Sequence, residues 1–183
     1  PAQANAPAVQ PQSEPVAFLH MIERASRDES VDIEKMERLM AMHERMVAKQ
    51  AEADFNDAMA ACQREISTIA ADATNPQTRS KYATYAKLDS KLRPIYTKHG
   101  FSLSFNTADS PLPDHIRVLC YVSRDLFTRT YQHDVAIDAT GPKGGNVMNK
   151  THARNSGLSY GKRTLELSIF HVTVDQGVDD DGN

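Results

Sequence analysis

From Phe101 to Ile137 polar and apolar residues alternate in three successive stretches, and no other feature of the chain constrains its fold as strongly. Side chains of a β-strand point to opposite faces in turn, so a period of two marks a strand with one buried face. Phe101-Ser-Leu-Ser-Phe-Asn106 is the first stretch. The second places Ile116, Val118, Cys120 and Val122 on one face, with Arg117 and Tyr121 on the other. Beyond a turn near Arg124-Asp125, the run from Phe127 to Ile137 is rich in Thr, Tyr and Val and should pair back as a hairpin. Ser110-Pro-Leu-Pro-Asp114 forms the loop between the first two. A three-stranded antiparallel meander is the expectation.

Helical patterns flank it. Thr84 to His99 reads as a helix closed by Gly100, with Pro94 bending it or opening a new segment. A final helix is expected from about Thr151 to Phe170. Upstream, Val16, Leu19, Ile22 and Ala25 form one apolar stripe. Ser30 or Asp32 can cap a second helix, whose apolar positions are Ile33, Met36, Met40, His43 and Val47. The pattern continues through Phe55, Ala58, Met59, Cys62 and Ile66. No Pro or Gly lies between Pro15 and Pro76, so one helix or two stacked ones fill that interval. Its methionines suit core or coiled-coil packing, or an adaptable partner surface. Helices, then a meander packed by a long helix, make an α+β chain with a β-β-β-α core. The expected organisation is a disordered Pro/Ala/Gln tail over 1–15, a helical region over 16–72, the α+β core over 73–170 and an acidic tail over 171–183.

At 183 residues, with 40% hydrophobic and 25% charged side chains, the chain can bury a core without disulfide or metal staples. No apolar run nears the roughly 18 residues of a membrane helix, and no basic-then-apolar leader is seen. Cys62 and Cys120 lie far apart without a CxxC spacing, which argues against a disulfide framework and a zinc module. A cytoplasmic location without membrane partners is expected. The net charge of −3 conceals an asymmetry. Residues 73–165 carry fourteen Lys and Arg against six Asp and Glu; the remainder carries seven against eighteen. A basic middle between acidic ends suits a nucleic-acid surface, although a solvated charged surface has the same composition.

Motifs for other chemistries are incomplete. Gly144-Gly-Asn-Val-Met-Asn-Lys150-Thr151 is one residue from a phosphate-binding P-loop, with Asn149 where that motif has glycine. The preceding strand ends too early and belongs to a hairpin, so the glycines read as a mobile loop. His115, His133, His152 and His171 lack metal-ligand spacing. Asp179-Asp180-Asp181-Gly182 lacks the alternating acids of a calcium loop. No nucleophile–base or paired-carboxylate arrangement is recognisable, so neither a catalytic residue nor a cofactor or metal is expected.

The basic positions say more. Residues 139–165 hold no acid, while carrying Lys143, Lys150, Arg154, Lys162 and Arg163; upstream, Arg79, Lys81, Tyr82, Tyr85 and Lys87 mix cations with rings. Cations neutralise phosphates, and aromatic faces stack on unpaired bases. Along the last helix, His152, Ser156, Ser159 and Arg163 follow steps of four, three and four and share a stripe, with Asn155 and Lys162 beside it. Leu158, Leu165 and Ile169 form the apolar stripe, widened by Ala153, Tyr160 and Leu167. The small Ser156, Ser159 and Gly161 would let a strand's backbone come close. An ordinary solvated helix face is the competing reading.

Phe55-Asn-Asp-Ala58 with Gln63 and Ile66, then Ser80-Lys81-Tyr82-Ala83, Leu88, Pro94 and Lys98-His-Gly-Phe-Ser102, resembles the opening of the Erf family of phage single-strand annealing proteins. Thr151, Ser156 and Ser159-Tyr-Gly-Lys-Arg163 resemble the family's closing helix, and Asp179-Asp-Asp-Gly-Asn183 its acidic end. His152, Asn155, Gly161, Lys162 and Thr164 depart from the usual Gln, Gly, Ala, Arg and aromatic residue. The resemblance implies annealing of complementary strands in recombination without nucleotide hydrolysis, by rings or filaments whose basic groove holds one strand of DNA. The implied partners are single-stranded DNA, the annealed duplex intermediate, further copies of the chain, and a phage exonuclease or host single-strand-binding protein. The basic and aromatic positions and the stripe of the last helix make Arg79, Lys81, Tyr82, Lys143, Lys150, His152, Arg154, Ser156, Ser159, Lys162 and Arg163 the DNA-binding candidates. The residues alone leave open a P-loop-like NTPase acting on nucleic acid, or a helical scaffold protein.

Overall fold

The computed structural model describes residues 14–28, 32–76, 79–137 and 150–175, except the side chains of 14–16 and 150. These residues fall into two compact units that divide between Val47 and Ala48. The expected tail lies outside the described residues up to residue 13, and the acidic end from residue 176 onward. So do Lys143 and residues 144–149 of the phosphate-loop-like segment.

In the first unit, helix α1 (Glu14–Ser26) is followed by the start of α2 (Ile33–Glu65), so two helices, not one, occupy the interval. Asp32 caps α2: its Oδ1 accepts from the backbone N–H of Glu34 at 2.9 Å, satisfying a donor with no partner in the first turn. Phe18 stacks on His43 with ring centroids 4.0 Å apart. Only part of the expected stripe is covered, since Leu19, Ile33 and Val47 are exposed. Leu39, Met42 and Met46 form a second exposed apolar line at steps of three and four.

The second unit contains the rest of α2, the short strands β1 (Ile69–Ala70), β2 (Ala73–Thr74) and β3 (Lys81–Tyr82), then α3 (Tyr85–Lys98). The meander follows as β4 (Ser102–Asp109), β5 (His115–Arg124) and β6 (Phe127–Ala136), then α4 (Lys150–Ile169) and β7 (Val174–Asp175). This is the expected α+β order. β5 is central, with Phe105, Cys120 and Tyr131 in register across the three strands. Ile116, Val118, Cys120 and Val122 are buried, as the alternation requires. Asp125 opens the two-residue β5–β6 turn at φ +50°, a left-handed conformation that Asp tolerates.

α4 crosses the buried face of this sheet. Phe55, Met59 and Cys62 of α2 fill the same core, with Phe55 edge-on to Phe101 and Phe127 at centroid distances of 5.2 and 5.0 Å. Thr84 caps α3 by accepting from the N–H of Lys87, and Gly100 ends the turn at φ +81°. Pro94 neither ends nor restarts that helix, which runs through it. β1 and β7 pair in parallel, Ile69 opposite Val174, which ties the segment after α4 back to the segment after α2.

Candidate nucleic-acid interface

The inner line of α4 follows steps of four: Ala153, Gly157, Gly161, Leu165 and Ile169 are all buried. Glycines in its first half let the helix settle close to β5 and β6. A Cβ built on Gly161 would lie 2.6 Å from Cγ2 of Val118, a distance no side chain tolerates. Gly161 therefore serves the packing of helix on sheet, and the expectation that it clears space for a DNA backbone is corrected. One further assignment along α4 changes: Tyr160 is half exposed instead of lying on the buried side. Glu166, to which the sequence reading gave no place, is buried at 1% exposed.

Burial of the inner line turns the next positions toward the helix flanks, where both cations meet rings. Arg163 has its guanidinium carbon 4.6 Å from the ring centroid of Tyr82 and 5.1 Å from that of Tyr160. Lys162 has its ammonium 5.3 Å from the ring of Phe105 and 5.8 Å from that of Tyr85. Both cations are half-buried rather than freely outward, which corrects the sequence expectation. Among the described residues neither forms an ion pair. Ring faces hold them through the π quadrupole instead of direct carboxylate pairs.

The elements that present these rings are pinned. Tyr82 sits on β3, whose partner β2 begins after Asp72. Asp72 accepts from the backbone N–H of Thr84 at 2.7 Å and from its hydroxyl at 2.8 Å, locking the hairpin to the start of α3. That backbone bond holds the Asp72 carboxyl below the usual carboxylate range. Tyr85 opens α3 close to the buried Glu166, whose carboxyl desolvation pushes up to about 7. Burial, followed by the Glu166 charge, pushes the Tyr85 hydroxyl up to about 12.

Next to this band, a groove runs between β6 and the first half of α4, bounded by His133, Val135, Ala153, Ser156, Gly157 and Tyr160. The rings of His133 and Tyr160 face one another at 6.4 Å with a 35° tilt. Asp134 also lines the groove, and Arg117 neutralises it through two hydrogen bonds of 2.9 and 2.8 Å. Arg117 thereby holds the Asp134 carboxyl well below its ordinary value.

The candidates taken from the sequence distribute as follows. His152, Arg154, Ser156 and Ser159 are exposed on α4, while the Lys150 side chain and Lys143 lie outside the described residues. Arg79 and Lys81 are exposed on the β2–β3 hairpin, with Arg79 at φ +57°. The structure joins Tyr82, Tyr85, Lys162 and Arg163 into one band with Phe105 and Tyr160, and sets His133 in the neighbouring groove; Phe105, Tyr160 and His133 were not DNA-binding candidates from the sequence. For Tyr160 a signal exists: it stands four residues after Ser156 and three before Arg163, on the same helix flank.

No described helix is long and apolar enough to cross a membrane. No match was found among curated proteins or solved structures. A family model described as the ERF superfamily matches residues 55–183, which takes in β1 to β7, α3, α4 and every ring and cation of the band, and the chain belongs to the ERF superfamily.

Proposed function

We propose that this chain binds single-stranded DNA along the α4 band and anneals complementary strands without nucleotide hydrolysis, as an oligomeric binding protein rather than an enzyme. Membership in the superfamily supports strand annealing in recombination as the general function. The observation that carries the DNA-binding reading is the placement of Lys162 and Arg163. Both are held by aromatic faces and not by carboxylates, so a phosphate can pair with them without first displacing an acid. Exposed hydroxyls of Ser156 and Ser159 on the same helix suit phosphate and sugar contacts, which position a strand without reading its sequence. The energy for annealing then comes from base pairing itself. In this reading residues 73–170 form the DNA-binding core, with Arg79, Lys81 and Arg154 extending its cationic surface and His152 adding an imidazole.

The test is the double variant Lys162→Ala/Arg163→Ala, assayed on single strands of several sequences across a salt series. Binding should weaken for all sequences alike, and the salt slope should become shallower by about 0.7 per lost phosphate contact. The variant Lys162→Gln/Arg163→Gln keeps part of each stem over the rings, and should show the same loss if charge is the cause. Unchanged affinity and slope in both variants remove this helix from the interface. ATP should make no difference to wild-type annealing.

A further inference from the structure

The groove between β6 and α4 shares only Ser156 with the phosphate and sugar contacts described above, and it has the makings of a base site. Half of the Tyr160 surface faces solvent. Its separation from the His133 ring is near the upper end of the roughly 4.5–7 Å range of paired rings, so the two form an open, tilted pair. Ala153, Gly157 and Val135 make an apolar floor, and Ser156 places a hydroxyl at the edge. Arg163 touches Tyr160 on one side and belongs to the cationic band. The neighbouring acid Asp134 is already paired with Arg117, so it adds little repulsion toward phosphate.

A planar, weakly polar ligand tethered to a phosphate fits those features together, and such a ligand is a nucleobase. We propose that one base of the bound single strand stacks on Tyr160 in this groove, while the phosphate beside it pairs with Arg163. This rests on the single-strand reading of the α4 band and adds a specific anchor to it. Stacking is tolerant of sequence because every base presents a π face. Anchoring one base in each subunit would set the register of the strand and leave the remaining bases free to pair.

Two single strands of equal length test this, one intact and one carrying abasic sites, so that phosphates are matched and only bases differ. The wild-type protein should prefer the intact strand by about tenfold, as expected from the loss of one stacked base. Tyr160→Phe keeps the ring and should keep the preference. Tyr160→Ala should bind both strands equally, with a salt slope like that of the wild type because no phosphate contact is removed. Gly157→Ala adds a methyl to the groove floor at ordinary contact distances, 3.6 Å from Val135, and should erase the preference with the Tyr160 ring still present. A Tyr160→Ala protein that retains the full preference overturns the base site and leaves the phosphate band standing. Salt-insensitive or absent binding of both strands by the wild type overturns both.

Discussion

Glu166 is the residue whose surroundings are least expected from its type. It is buried beside Tyr85, Asp89 and Arg93 of α3, with Lys162 one turn before it on α4 and Cys120 of β5 close enough to feel its charge. Its Oε2 has no hydrogen-bond partner among the described residues. Desolvation, reinforced by the Asp89 charge, pushes its carboxyl up to about 7 from an ordinary 4.5. The raised value means that the folded protein holds this proton over a range in which the unfolded chain has released it. This group's contribution to stability therefore falls as pH rises from about 4.5 to about 7, and the cost persists above that. Glu166→Gln should raise stability by on the order of 3 kcal/mol above pH 7, and by nothing from this source below pH 4. Urea denaturation at pH 4 and pH 8 reads the difference directly. An equal effect at both pH values would show that folding leaves this carboxyl at its ordinary value. The buried thiols should stay inert, since desolvation pushes Cys62 up to about 11 and Cys120 up to about 12.

At the scale of the element, α4 was legible as a helix and mostly as an amphipathic one. Ala153, Leu165 and Ile169 were placed on its buried side and are buried. Tyr160 and Gly161 exchanged roles for a steric reason. Where a helix lies this close to a sheet, the contact line must be small, and the large ring is driven to the flank. The consequence is a contrast between two glycines. Gly161→Ala should destabilise by about 1–3 kcal/mol, because the new methyl meets the Cβ and Cγ2 of Val118 and neither can swing away without repacking β5. Gly157→Ala meets only ordinary contacts and should be neutral or gain up to about 1 kcal/mol from helix propensity. Chemical denaturation of the two variants side by side distinguishes them; equal stabilities would mean that α4 is not seated on Val118 as described.

For the whole molecule, one band of two cations neutralises few phosphates, and affinity for a strand grows with the number neutralised. In the proposed reading, repetition around a head-to-tail assembly supplies that number. The exposed line of Leu39, Met42 and Met46 on α2, together with the outer edges of β4 and β6, gives the 31–70 region and the sheet the means to contact further copies. Sedimentation should therefore show a large species, retained or enlarged by a single-stranded oligonucleotide. A strictly monomeric profile under both conditions would sink the assembly.

The class of each long element, their order and the buried face of β5 were all set by local rules. Alternation of period two needs only the pleat of a strand, a helix stripe only its pitch, and Thr84 and Gly100 only the unmet hydrogen bonds at helix ends. These depend on neighbours in the chain, which is why they could be read from residues 84–137 one after another. The cationic positions were legible for the same reason. Their environment was not. Whether Arg163 points to solvent or lies against Tyr82 depends on residues 81 positions apart meeting through β3 and α4. Whether Glu166 is exposed or buried depends on α3 packing across α4. Pairings between distant segments follow from which faces share the core once the layers close, and that choice is made by packing and desolvation, which no local spacing encodes.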